Sequence, residues 1–146
     1  MNKLKTLNVI NIFELGFQLH ETPDLNKKEN SKDLVLDFNI GLDIKDEGKI
    51  VGITINSTFH LKKDKTKVVA SSKVKTEFQL TYENEVKLED DGKLNLPDQH
   101  WITMLSLAIS HARALMARST NGTIHHNLIL PIVNPSEIFK NTLKQQ

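Results

Sequence analysis

The sequence predicts an α+β fold in which a four-stranded antiparallel sheet is followed by a long helix, an extended crossover and a short C-terminal helix. Three observations lead to this prediction. Apolar and polar residues alternate with a period of two in the first half, apolar residues recur at helical spacing after Pro97, and a later apolar segment is interrupted by Pro131. The 146 residues, 38% of them hydrophobic, have the composition of one globular domain spanning residues 1–146.

The first predicted strand is the least regular. Ile10 and Ile12 have one parity, whereas Phe13, Phe17 and their apolar neighbours have the other. A bulge near Ile12 reconciles the two sets. Phe13 and Phe17 then share a face of the strand and either fill the core or line a groove.

The next three strands alternate cleanly, so one face of each is buried. Asp46-Glu47-Gly48-Lys49 supplies a turn between the second and third strands, and a lysine-rich turn from Lys62 to Lys67 precedes the fourth. Residues 84–96 are acidic and contain Gly92, which predicts a surface connection without regular structure. The apolar positions of the second strand are Leu34, Leu36, Phe38, Ile40, Leu42 and Ile44.

The long helix opens at Pro97-Asp98, with Asp98 as its predicted cap, and closes at Asn121-Gly122 through left-handed backbone geometry. Its apolar stripe is wider than one sheet can cover, which predicts contact with a second subunit as well. The residues expected at that subunit interface are Trp101, Leu105, Ala108, Ala112 and Leu115.

The C-terminal region begins with an apolar segment, residues 123–133, which cannot continue as helix through Pro131. Asn134-Pro135-Ser136-Glu137 then provides an N-cap, a proline at the first helical position and a glutamate at the third. This pattern predicts a short amphipathic helix.

Composition and motifs argue against several functions. Without cysteine there is no disulfide, iron–sulfur cluster or thiolate nucleophile, and a reducing compartment fits best. No apolar run approaches the roughly 18 residues of a membrane span, so we expect a cytoplasmic protein with no membrane insertion. The net charge of +1 and the lack of aromatic residues among the lysines favour a solvated turn over a nucleic-acid site.

The sequence gives little support to a catalytic site or a metal site. His125 and His126, with His111 and His100 elsewhere, raise the alternative of a metal site, but adjacent histidines in an extended segment point to opposite faces. No Gly-x-Ser-x-Gly elbow or other nucleophile context is present. We therefore expect neither an enzyme nor a cofactor.

The last third of the chain resembles the SecB protein-export chaperone family. His111-Ala112-Arg113 resembles the aromatic-Ala-Arg of that family's long helix, and Gly122-Thr123 resembles the Gly-Thr that follows it. The crossover and last helix supply further matches in the same order. These are Asn127-Leu128, Pro131-Ile132-Val133-Asn134 and Ile138-Phe139, with a reminiscent Gln145-Gln146 tail.

This resemblance implies an ATP-independent holdase that keeps unfolded polypeptides competent for export, with two dimers joined into a homotetramer. It also implies long apolar grooves that take extended, non-native segments, because a holdase binds many sequences through hydrophobic burial. The residues expected to line such a groove are Phe13, Phe17, Ile124, Leu128, Leu130, Ile132, Val133, Ile138, Phe139 and Leu143.

One departure from the family concerns its docking of the SecA motor through acidic residues on the sheet. The matching positions, Leu15 to Gln18 and Val69 to Ser71, contain no Asp or Glu. A dedicated SecB-like chaperone of one partner, such as an antitoxin, that does not dock SecA therefore competes with general export. A small hydrophobic-ligand-binding or structural oligomer is a further alternative.

Overall fold

The computed structural model describes residues 1–20, 34–62, 66–121 and 133–143. Its element order confirms the predicted α+β fold, with a four-stranded antiparallel sheet, a long helix and a short C-terminal helix. The elements are β1 (Leu4–Leu19), β2 (Leu34–Lys45), β3 (Ile50–Leu61), β4 (Val68–Tyr82), α1 (Asp98–Thr120) and α2 (Pro135–Ile138), the last continuing as a π-helical turn over Phe139–Leu143.

The strands pair in the spatial order β1-β4-β3-β2, so β1 and β2 form the two edges. Strand β2 pairs with β3 over twelve consecutive residues without a register shift. Strand β1 pairs with β4 through three irregularities, each of which leaves one extra residue on β1: Lys5, Ile10 and Leu15. The bulge predicted near Ile12 therefore lies at Ile10, and two more accompany it.

The bulge at Leu15 also overturns one prediction about β1. Phe13 lies opposite Lys75, whereas Phe17 lies opposite Ser72, and these two β4 residues have different parity. Because side chains of directly paired residues lie on the same face of a sheet, Phe13 and Phe17 lie on opposite faces. The prediction that they share a face is wrong, since the extra residue reverses the alternation between them.

One face of the sheet, called here the helix side, carries α1 and the core. Val51, Ile53 and Ile55 on β3, with Val74 and Phe78 on β4, are fully buried there. Helix α1 lies over β3 and β4 and supplies the opposing layer. Its buried residues are Trp101, Met104, Leu105, Ala108, Ile109, Ala112, Met116 and Thr120.

The opposite, outer face is polar at its centre. The Nζ of Lys75 lies 3.0 Å from the Oδ2 of Asp43, and the Nζ of Lys45 lies 3.3 Å from that oxygen and 3.4 Å from the Oε2 of Glu77. Hydrogen bonding from Lys75 lowers the pKa of Asp43. Gly52 on β3 lies beneath Lys75 and leaves room for its side chain. Two carboxylates and two ammonium groups make this cluster neutral.

The element ends agree with the sequence in part. Asn134 caps α2, its side chain accepting a 3.0 Å hydrogen bond from the backbone N–H of Ser136. Pro97, however, is the N-cap of α1, and Asp98 is the first helical residue, where its charge favours the helix N-terminus. Asn121 is the C-cap of α1 and has an extended backbone conformation, and Gly122, on which the predicted left-handed ending also depends, lies outside the described residues. Neither described helix is long and apolar enough to cross a membrane.

Candidate binding groove

The helix side of the edge strand β2 is only partly covered, because α1 lies over β3 and β4. Its alternating apolar side chains point to this face, as predicted, but only Ile40 among them is buried. The others are half-buried and border the core. They are Leu34, Leu36, Phe38, Leu42 and Ile44. A long apolar strip therefore follows the free edge of the sheet.

This strip ends in a cavity of about 300 Å³ between β2, the N-terminus of α1 and the C-terminal segment. Leu42 and Ile44 form its sheet wall, and Trp101 and Phe139 come from the two helical segments. Trp101 is 8% exposed and Phe139 is 4% exposed, so both rings are held within the core while they border the cavity. Leu94 and Leu96 complete the apolar lining. The groove is defined here as the β2 strip together with this cavity.

Polar groups surround the mouth of the cavity. Glu89, Lys93, Asn95 and Asp98 line it. The Nδ2 of Asn95 donates a 2.9 Å hydrogen bond to the Oε1 of Glu89. Lys93 bonds to the carboxylate of Asp91 at 2.7 Å, which lowers the pKa of that carboxyl and raises the pKa of Lys93. An apolar floor with a polar rim is the usual composition of a binding site.

One wall of the cavity is the segment 83–96, called here the wall hairpin. It was predicted to be irregular, and its only described pairing is the isolated antiparallel bridge between Leu88 and Leu94. It packs on the β2–β3 turn, where Asp46, Glu47 and Gly48 all have positive φ. A Cβ at Gly48 would lie 3.0 Å from Leu94, so glycine permits both the turn and this close contact.

The predicted groove residues fall into separate places. Phe139 lines the cavity, and Val133 and Ile138 are half-buried against the core beside it. Ile124, Leu128, Leu130 and Ile132 lie outside the described residues, and Leu143 ends the π-helical turn. Phe13 and Phe17 are on β1, across the sheet from the groove. Leu42, Ile44 and the rest of the β2 strip were not predicted to line a groove. Their alternation along β2 was the sequence feature that could have indicated it.

The residues predicted for the subunit interface are mostly in the chain's own core. Leu105, Ala108 and Ala112 are fully buried and Trp101 nearly so, while Leu115 is half-buried. The first three are therefore not available to a second subunit while the core is intact. Five of the eight large exposed apolar residues in the described part of the chain lie instead on β1. These five are Val9, Ile10, Ile12, Phe13 and Leu15.

The histidines do not form a metal site within the described part of the chain. No group of three potential His, Cys, Asp or Glu ligands occurs there, and His125 and His126 lie outside it. His111 instead bonds to Thr76, and burial lowers its pKa. The Nε2 of His60 on β3 lies 2.7 Å from the Oδ2 of Asp37 on β2.

The fold is SecB-like. The SecB-like chaperone Rv1957 of Mycobacterium tuberculosis, in complex with a ChAD peptide from the HigA1 antitoxin Rv1956, is similar to this chain with a TM-score of 0.56. The match covers 87% of this chain and 90% of that chain at 15% sequence identity. No family model and no curated protein matches the sequence.

Proposed function

We propose that this protein is a holdase chaperone that binds unfolded or non-native polypeptide segments in the groove, without ATP. The observation that carries the proposal is the partly covered helix side of β2, whose half-buried apolar residues lead to the cavity bordered by Trp101 and Phe139. An extended segment with alternating apolar side chains matches the period of this strip. Burial of its apolar side chains supplies the binding energy at about 25 cal/mol per Å².

The cavity suits one larger apolar side chain of such a segment. Cavities of about 150 Å³ in protein interiors accommodate benzene, and this one is about twice as large. Within the described residues β2 is an edge strand, which adds main-chain donors and acceptors beside the apolar strip. Together they favour an extended polypeptide over a compact ligand, which would use the cavity alone.

A dedicated chaperone of one partner, such as an antitoxin, is the second candidate. The similar chaperone of Mycobacterium tuberculosis is in complex with a peptide from an antitoxin. The neutral charge cluster at the centre of the outer face also favours this candidate, because it offers no concentrated acidic surface to a basic partner such as a motor protein. General export with SecA docking is the less favoured form.

We further propose that the protein associates with itself through β1 rather than through the buried face of α1. Strand β1 is an edge strand, and its exposed apolar residues occupy both faces. Ile12 on the helix side is 46% exposed, and Phe13 on the outer face is 40% exposed. Antiparallel pairing with a second copy would cover both faces and satisfy the edge at once.

The experiment that tests the holdase proposal is suppression of aggregation. One equivalent of the protein is expected to keep a chemically denatured client soluble after dilution from denaturant, without nucleotide. Pull-down from native lysate then separates a general holdase, which gives many companions, from a dedicated chaperone, which gives one. Unchanged client aggregation, combined with saturable binding of a small hydrophobe, would support the ligand-binding alternative instead.

A further inference from the structure

We infer that Asn2 is a positioning residue for the groove, acting through the wall hairpin. This inference rests on the proposed function, because it assigns a role to a residue outside the groove. Asn2 does not line the cavity. It reaches the cavity through Asn95, which does.

Asn2 spans the two sides of the wall hairpin with hydrogen bonds from a single side chain. Its Nδ2 donates to the backbone carbonyl of Lys87 at 2.9 Å and to that of Asn95 at 3.1 Å. Its Oδ1 accepts from the backbone N–H of Lys87 at 3.0 Å. The backbone N–H of Asn2 also donates to the carbonyl of Asn95 at 3.1 Å.

This pattern requires an amide side chain of asparagine's length. Oδ1 and Nδ2 contact the N–H and C=O of the same residue, Lys87, so the side chain acts as one more peptide group beside the hairpin. An aspartate of the same shape would lose both Nδ2 donations and would place an oxygen against two carbonyl oxygens. An alanine would remove all three side-chain bonds.

Few other backbone hydrogen bonds of the described residues hold the hairpin, which makes these bonds consequential. Its described internal pairing is the single Leu88–Leu94 bridge, together with the hydrogen bonds between Glu89 and Lys93 and between Glu89 and Gly92. Leu94 both packs on Gly48 and lines the cavity. A shift of Asn95 therefore moves the cavity wall through Leu94, the residue that precedes it in the chain.

The test compares Asn2→Asp and Asn2→Ala with Lys3→Ala. Lys3 is the matched control because it contacts the same hairpin at its first residue, through a 2.9 Å ion pair with Glu83 between two exposed side chains that do not line the cavity. Two readouts need no client. Trp101 is the sole tryptophan, so acrylamide quenching reports its exposure directly, and hydrogen exchange reports the Lys87 amide. Both Asn2 variants should increase Trp101 quenching, and Asn2→Ala, which also removes the Oδ1 acceptor, should speed Lys87 exchange more than Asn2→Asp, while the amides of β3 and β4 keep their protection.

Client affinity is measured with reduced, carboxymethylated α-lactalbumin as a permanently unfolded probe. Asn2→Asp should weaken its binding about tenfold, the loss that one or two hydrogen bonds carry. If quenching and Lys87 exchange are unchanged in both variants, the inference is overturned. If those two change but the wild-type protein binds no unfolded probe, the proposed function fails and the positioning role stands.

Discussion

The Oγ1 of Thr76 lies 3.0 Å from the Nδ1 of His111, joining the middle of β4 to the middle of α1. Thr76 is fully buried, and burial lowers the pKa of His111 from its ordinary value of 6.5. This bond is a polar contact within the otherwise apolar layer between α1 and the sheet. Helix α1 lies over β3 and β4, so the helix sides of the two edge strands, β1 and β2, are only partly covered.

The first prediction concerns the pH dependence of stability. Because the folded state disfavours protonated His111, its contribution to stability is fully present above pH 6.5 and is lost as the pH falls below that value. Urea unfolding between pH 5 and 8 should show this loss in the wild-type protein and less of it in His111→Gln. His100→Gln is the control, and an identical pH profile for all three proteins would contradict the assignment to His111.

The second prediction uses Tyr82, the sole tyrosine. Its hydroxyl donates to the carbonyl of Gly48, and burial raises its pKa to about 12. Absorbance titration should therefore show that Tyr82 ionises well above the ordinary pKa of 10. Stability should be lost as the pH rises from the ordinary pKa of 10 to the folded-state pKa of about 12. Protein unfolded in urea should titrate near the ordinary value, and a folded-state midpoint equal to it would refute the prediction.

The third prediction concerns the charge cluster on the outer face. A Cβ at Gly52 would approach the Cε of Lys75 to 2.6 Å, so Gly52→Ala should displace Lys75 from Asp43 and cost about 1 kcal/mol of unfolding free energy. Gly41→Ala is the matched control, because its Cβ meets only an ordinary 3.5 Å contact with Thr54. In a Lys75→Ala background the cost of Gly52→Ala should vanish; an undiminished cost would place the strain elsewhere.

The fourth prediction tests the groove. Leu42→Asp puts a charge on the cavity wall and should weaken client binding by tenfold or more while the sheet stays folded. Phe139→Asp should weaken binding as well and also loosen the C-terminal segment, since this ring is buried. Leu107→Asp, at an exposed position of α1, is the control. Equal affinities for Leu42→Asp and the control, with circular dichroism unchanged, would exclude the groove.

The fifth prediction tests self-association through β1. Pairing about a two-fold axis at Ile12 places Asn11 opposite Phe13 of the second copy and Leu7 opposite Phe17, and each pair belongs to one face. Paired residues of antiparallel strands have the Cα separation that a disulfide needs. The chain has no cysteine, so Ile12→Cys should give a disulfide-linked dimer on oxidation.

Two controls accompany this experiment. Val9→Cys alone should not cross-link, because the two copies of Val9 would be well separated along the strands. A mixture of the Val9→Cys protein and the Leu15→Cys protein should cross-link, because the same pairing places Val9 opposite Leu15 of the second copy. Ile12→Asp should shift the native mass toward the monomer without loss of secondary structure. A wild-type protein that is monomeric at micromolar concentration would rule out the β1 interface.

Strands β2 to β4 could be predicted from the sequence because each keeps a single parity, and parity alone assigns the buried face. Strand β1 and a bulge in it could also be predicted, but the faces of its side chains could not, because a change of parity signals a bulge without giving the number of extra residues. Ile10 and Leu15 are the examples: each is an ordinary apolar residue with no local signature of a bulge.

Three of the α1 residues expected at a subunit interface are buried in the chain's own core, for a different reason. Leu105, Ala108 and Ala112 were expected at a subunit interface because the apolar arc of α1 is wide. In the structure β3 and β4 cover most of that arc, and Phe139 lies with Trp101 at its N-terminal end. The width of a sheet that a helix covers depends on tertiary packing, which sequence periodicity does not contain.

The bulges in β1 have a consequence for a protein that we propose binds unfolded chains. Unfolded segments stack readily into flat cross-β ladders, and a straight edge strand is a template for such growth. Strand β1, the longest strand, is interrupted at Lys5, Ile10 and Leu15, so its edge does not match a flat ladder along its length. Removing the three extra residues should turn that edge into a seed on which clients co-aggregate.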